Sequence, residues 1–549
     1  MLYSRVAKIT TALLLASLLL VACKSENVGE TQSPTLQDSG TSEVLLNPAL
    51  SRSTGLAVAT DEIDSLFNPL NAQLDYELWL VELLFDGLFE YDATGEITPA
   101  LAENYQVSED GLIYTVALKR GVTFHNEMDL TASDVVFTYD YLMTEGYQGE
   151  YSNIASLLSE VIDLDQNTIQ ITFKERNILN PKLLTIPILS QQHYKAHARI
   201  GQPIEALIPV GTGLYKFDKY IPQERLTLIK NSLYWKSSVT IPSIVIRELD
   251  QVAALEAFTQ GGIDMFKLPR DKSYASQIKA LNFGNILVQD SDLITFVGMN
   301  IKSPTLFEPE VRKALELGLD KDLFILNHLQ GYASRLDFLP ISITEIQRFE
   351  QNQLPQTYNV EAAKKQLDEI GWIDSDGDGI RDRNGEVLTF KWHVYADVDW
   401  PYQLSEQALS NWSTLGIKVD IVYTDYLALL QQLASGDIPD MWCMGWKMDW
   451  KANPGVLFGI LESENFNYTG YDDIVANQIF NALNLSDSGF REETLFAQWH
   501  ILQRQSSPYI PIARLKSAWA YNSRVKYLTI DQKSSWVKNV HLMEVETVQ

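Results

Sequence analysis

Cysteine is almost missing from this 549-residue chain, which has only Cys23 and Cys443. Cys443 lies in the apolar run Met441-Trp442-Cys443-Met444, which predicts a buried structural thiol instead of a nucleophile. Histidine is scarce too, at seven residues. His193 and His197 are spaced to share a helix face, but they have no third partner and make a poor metal centre. Positive charge is in deficit: 43 Lys and Arg stand against 71 Asp and Glu, for a net charge of −28. A surface this acidic repels phosphates and excludes a general binder of nucleic acid or anionic lipid. Catalytic signatures are missing as well. There is no Gly-x-Ser-x-Gly elbow, no His-Glu-x-x-His pair, no Cys-x-x-Cys and no Gly-x-x-x-x-Gly-Lys loop, so no enzyme and no catalytic residue is expected.

Long apolar runs are confined to the start. Arg5 and Lys8 precede an uncharged stretch from Ile9 to Val21, shorter than the roughly 20 residues a spanning helix needs, and this predicts a signal peptide over 1–22. The stretch ends in Leu20-Val21-Ala22-Cys23, which resembles the lipobox of bacterial lipoproteins and implies lipidation of Cys23. That makes the membrane contact a tether only and leaves Cys443 without a disulfide partner, which a body with a large core can do without. From Lys24 to about Leu46 the chain is polar and nearly free of aromatics. Such a segment buries too little to offset its ordering entropy, so 23–46 reads as a flexible linker. The expected location is outside the cytoplasm, at the membrane surface.

After the linker, short β-rich runs alternate with helical ones, an α/β pattern. Thr131-Ala132-Ser133-Asp134 predicts a capping box opening a helix through about Met143, preceded by a strand pair that includes Leu112 to Leu118, with Asp110-Gly111 as its turn. A helix is expected over Pro309 to Leu319, with Pro in its first turn, and another from an Asn359 cap to Gly371. Strands resume near Leu388.

An ordered series of short motifs runs through nearly the whole remaining chain. It includes Leu84-Phe85-Asp86-Gly87-Leu88, Leu118-Lys119-Arg120-Gly121-Val122-Thr123-Phe124-His125 and Leu130-Thr131-Ala132-Ser133-Asp134-Val135-Val136-Phe137. It continues with Pro209-Val210-Gly211-Thr212-Gly213, Tyr234-Trp235, Gly262-Ile263-Asp264, Val311-Arg312-Lys313-Ala314-Leu315, Gly371-Trp372 and Pro508-Tyr509-Ile510-Pro511-Ile512. In this order they resemble the extracellular solute-binding proteins, family 5, of ABC importers, which take up dipeptides, oligopeptides and nickel chelates. The glycines of Pro209 to Gly213 read as a place where backbone meets backbone, not as a phosphate cradle.

The resemblance implies an α/β, two-lobed periplasmic-binding-protein-like fold of the large cluster C type, with a hinge of two crossing segments. Lobe I would take 47–294 and 508–549, and lobe II 295–507. The implied function is capture of a peptide between the lobes and delivery to the permease subunits of an importer, by a monomer. Another solute on the same fold, such as a nickel chelate or an oligosaccharide, is the alternative, with a surface sensor or enzyme behind it. The segment from Gly445 to Pro454 resembles the one in which an Asp of the family pairs with a peptide's amino terminus. That points to Asp449, flanked by Trp446 and Trp450, although the step from Asp449 to Pro454 is one residue longer than in the family. The other reading makes Asp449 a loop residue and Asn453 a helix cap. Asn300, at the end of the first crossing segment, is counted among the expected ligand contacts.

The sharpest local pattern is acidic. Asp374, Asp376, Asp378 and Asp382 fall at positions 1, 3, 5 and 9 of a calcium loop, with Gly379 at the sixth and Ile380 at the seventh, where a main-chain carbonyl serves. The twelfth position is Gly385 instead of Glu, with Glu386 one step later. A plain acidic hairpin is the competing reading. No cofactor is required, and calcium there would be structural.

Overall fold

The computed structural model describes residues 47–547, apart from 65, 93, 148, 150, 196–206, 350–355, 460–465, 487–488 and 534. The leader, Cys23, the linker and His197 lie outside the described residues.

Local signals place several elements. The helix Ala132–Met143 starts where the Thr131 backbone N–H donates to Asp134 Oδ2 at 2.9 Å. Its buried face, including Val135, Thr138, Tyr139 and Leu142, packs on a four-stranded antiparallel sheet built from Ala102–Val107, Ile113–Leu118, Thr168–Phe173 and Leu158–Asp165. The helix Pro309–Leu317 has Pro in its first turn. The helix Val360–Glu369 is capped by the Asn359 side chain, which accepts from Ala362 N at 2.9 Å. Strand Thr389–Tyr395 follows.

Two long strands organise the rest. Gly284–Met299 and Tyr509–Asn522 run antiparallel beside each other from Gly284 opposite Asn522 to Gly298 opposite Tyr509. At one end the second strand pairs with Met265–Lys267, and the sheet continues through Leu56–Thr60, Ser243–Glu248, Arg225–Lys230 and Tyr215–Ile221. At the other end the first strand pairs with Met441–Lys447, and the sheet continues through Thr389–Tyr395 and Lys418–Thr424. Both lobes therefore share one eleven-stranded sheet.

The apolar core divides along this line. One cluster gathers residues from Leu56 to Met265 with Trp519, Trp536, Val540 and Met543 of the tail, and a second gathers residues from Ile294 to Leu515. A smaller cluster around Phe258, Phe266 and Phe283 adds to the first lobe. Cys443 is fully buried in the second, where burial pushes its thiol up.

The pairing of the two long strands shifts by one residue between Thr295 opposite Ala513 and Phe296 opposite Pro511, and more widely between Asp290 opposite Lys516 and Ile294 opposite Arg514. Ser291, Asp292 and Leu293 therefore stand opposite Leu515 alone, a bulge that bends the strand where the two cores part. The Ser291 hydroxyl donates to Leu515 O at 2.8 Å, and Arg514 Nε donates to Ser291 O at 2.6 Å.

The recurring motifs turn out to be mutual supports. Asp86 accepts from Thr212 Oγ1 at 2.7 Å, Trp235 Nε1 at 3.0 Å and Tyr234 OH at 3.1 Å, so three of the motifs meet on one carboxylate. A Cβ at Gly211 would stand 2.0 Å from Leu84 O, so only glycine allows this backbone approach. Arg312 donates to the carbonyls of Ser507 and Phe307 at 3.1 and 2.8 Å, fixing the chain just before it re-enters the sheet.

Candidate functional site

A cavity of about 690 Å³ lies between the lobes. The first lobe contributes Trp79, Glu82, Asp86, Tyr91, Tyr151 and Lys182, the tail contributes Lys533 and Lys538, the strand Gly284–Met299 contributes Asp292, and the second lobe contributes Trp446, Met448, Asp449, Trp450 and Asn453.

Asp449 follows the strand Met441–Lys447 and is fixed by its own backbone, since Ile343 N donates to Asp449 O at 2.8 Å. Its carboxylate reaches across the cavity. Lys182 Nζ lies 2.7 Å from one oxygen and Lys533 Nζ 2.7 Å from the other, with the Asp449 side chain 20% exposed. Lys182 comes from the short helix Asn180–Leu183, and Lys533 precedes Trp536 and Val537 of the first core. Burial would raise the Asp449 carboxyl, but the two ammoniums outweigh it and hold it well below the carboxylate range.

Trp450 is buried and stacks on Tyr91 of the first lobe, with ring centroids 6.0 Å apart at 28°. Thr344 Oγ1 donates to Trp450 O at 2.8 Å. Trp446 is half-buried, 5.7 Å from Phe466. Beyond the cavity, Glu96 pairs with Lys451 at 3.1 Å and Arg348 at 3.5 Å, further bonds between the lobes.

Asp449, Trp446 and Trp450 thus come together on one cavity. Asn300 does not join them. It caps its own turn, accepting from Lys302 N at 3.0 Å, and does not border the cavity. Asn453 closes the turn into the short helix Gly455–Phe458, its Oδ1 accepting from Gly455 N at 2.9 Å, while Asp449 borders the cavity. Sequence reasoning missed Lys182, Lys533, Tyr91 and Asp292, which lie far from Asp449 along the chain and carry no local pattern.

The acidic loop forms a separate feature. Asp374, Asp376 and Asp378 place carboxylate oxygens within 4.8 Å of one another on the surface. Asp374 also accepts from Gly377 N and Gly379 N at 2.7 and 3.0 Å, and Asp382 accepts from the Ser375 hydroxyl. Asn384 and Gly385 have φ of 56° and 83° and form the tight turn of the hairpin joining Asp382–Arg383 to Glu386–Val387. The turn chemistry explains why glycine stands where a calcium loop has Glu.

A model of the bacterial extracellular solute-binding proteins, family 5, middle region, matches residues 96–468. The oligopeptide-binding protein AppA of Bacillus subtilis (strain 168) is 26% identical over 437 residues, spanning 77% of this chain and 79% of AppA. The structure of B. subtilis AppA in complex with a nonapeptide superposes with a TM-score of 0.68 at 22% identity, covering 90% of this chain and 99% of that one. NikZ from Campylobacter jejuni in complex with Ni(L-His) superposes with a TM-score of 0.71 at 20% identity, covering 89% and 99%. These two structures share the two-lobed fold.

Proposed function

Since the chain belongs to family 5 of the bacterial extracellular solute-binding proteins, we propose that it captures a short peptide between its lobes, outside the cytoplasm, for the permease of an ABC importer. One observation carries this reading: a carboxylate of the second lobe, Asp449, already holds two ammonium groups of the first lobe at 2.7 Å inside the cavity. A peptide's amino terminus is the same chemical group, and on this account it takes the place of Lys182 on Asp449. Charge-assisted bonds of this length are among the strong ones. The cavity size falls in the range of about 300–1,000 Å³ typical of sites for small ligands, which favours short peptides over long ones. The half-buried Trp446 offers an apolar surface for varied side chains. The Asp449 role is tested by comparing free and N-acetylated tripeptides by calorimetry, where acetylation should abolish most of the affinity.

Anchoring belongs to the same reading. Lipid on Cys23 would hold the body at the membrane by a tether, and the linker would let it reach the permease. The chain acts as a carrier in this account, with no covalent step.

Calcium is proposed at the acidic loop, in a structural role. Three carboxylates converging within 4.8 Å suit a hard cation, and Asp374, Asp376 and Asp378 would hold it with the Ile380 carbonyl. Asp382 would act through its neighbours, because Ser375 already donates to both of its oxygens.

A further inference from the structure

We propose that Asp292, at the bulge of the first crossing strand, receives a second cationic nitrogen of the bound solute, so that the preferred peptide carries a lysine or arginine side chain. The inference rests on the peptide reading and adds a specificity to it.

Asp292 borders the cavity with 6% of its surface exposed. Its Oδ2 is sealed from solvent and accepts no hydrogen bond. Among the described residues, no lysine or arginine nitrogen lies within ion-pair distance of it. This sets it apart from the half-buried acids of the cavity wall: Glu82 accepts from Ser535 Oγ at 2.7 Å, Asp86 has three donors, and Asp449 has two ammoniums. Three lysines face Asp292 at longer range, Lys447 on the neighbouring strand, Lys533 in the tail and Lys267. Lys533 is engaged with Asp449 and Lys267 with Asp75, each at 2.7–2.8 Å, while Lys447 is exposed.

A buried carboxylate that forms no ion pair and has only its own backbone N–H to offset burial is costly. Its charge is shared by both oxygens, so a cation reaching the cavity face of the residue compensates the whole group. Burial, against the pull of these lysines, pushes its carboxyl up to about 6, in keeping with a charge that awaits a partner. The backbone ties the group to the other end of the site: Met448 N donates to Asp292 O at 2.7 Å, and Met448 immediately precedes Asp449. The two carboxylates therefore sit on one connected frame, one for the amino terminus and one for a side-chain cation.

The test uses tripeptides carrying lysine at each position in turn, each paired with its norleucine counterpart, on the wild type and on Asp292→Asn. At one position the lysine peptide should bind the wild type roughly tenfold or more tighter than the norleucine peptide, the size of a charged hydrogen bond. Asp292→Asn should erase that ratio. Equal binding at every position, or a preference that survives in Asp292→Asn, would overturn the proposal. Should no tripeptide bind, the peptide reading falls separately, and n-butylammonium against butan-1-ol decides the site. A saturable tryptophan signal with the ammonium that is lost in Asp292→Asn upholds it, and no difference overturns it. Asp292→Ser replaces the amide variant if that one does not fold.

Discussion

Lys182 and Asp449 lie 2.7 Å apart across the cavity, one on each lobe. With Lys533 on the other oxygen, this pairing lets the lobes meet without a ligand, and it marks the place that a ligand's ammonium would take. Ligand exchange for an internal ammonium would hold the closed form at nearly constant electrostatic cost, because one charge-assisted bond replaces another. Lys182→Met should therefore tighten peptide binding severalfold by removing the competitor, provided that the amino terminus takes over Asp449. Calorimetry of a free tripeptide on both proteins checks this, and weaker binding to Lys182→Met would assign the lysine to the ligand's carboxylate instead.

Asp292 and Asp449 have opposite linkage to pH. The folded Asp292 carboxyl stands above its ordinary 3.8, at about 6, so its penalty is full above that value and is relieved as pH falls from about 6 to about 4. Asp449 is held well below 3.8, so its contribution is present above about 4 and is lost only in stronger acid. The ligand-free protein should be most stable between these limits. Asp292→Asn should stabilise it at pH 8 by up to about 3 kcal/mol, at about 1.4 kcal/mol per unit of pKa, with the gain gone by about pH 4. Thermal melts across this range are the check, and a variant that melts lower than wild type at pH 8 would contradict the account.

Cys23→Ser should release the protein from the membrane fraction, because one lipid attached at that residue is the only anchor proposed. Fractionation of cells expressing each form reads this directly, and retention of the variant on membranes would show another attachment.

Calcium added to chelator-treated protein should bind weakly, in the millimolar range of extracellular loops. Asp376→Asn should abolish the heat of binding and leave peptide affinity unchanged, since the loop lies on the surface. No heat in the wild type would make the loop a plain hairpin whose geometry is carried by its Asn384-Gly385 turn.

Much of the local structure was legible because its causes are local. The Thr131 to Asp134 box, the Asn359 cap and the proline in the first turn at Pro309 depend on residues within a few positions of one another. Asp449 was legible only through resemblance, and its extra step from Pro454 left its role open. The two crossing strands were legible as segments but not as partners. Their pairing joins residues such as Gly284 and Asn522, and nothing in either segment announces the other. The same distance hid Lys182 and Lys533 from Asp449. Asp292 was hidden because a bulge exists only relative to a partner strand. The expectation for Asn300 failed to reach the cavity for a nearby reason: its side chain closes the turn to Lys302.

The central claim, that Asp449 holds the amino terminus of a peptide, is tested most directly by a double cycle of Asp449→Ala against N-acetylation, read by calorimetry. Losing a buried charge partner costs about 2–5 kcal/mol, so either change alone should weaken binding by roughly 30-fold or more. The two together should cost little beyond one, since both remove the same interaction. If free and acetylated peptides bind the wild type equally, Asp449 serves only its two lysines and the claim is wrong.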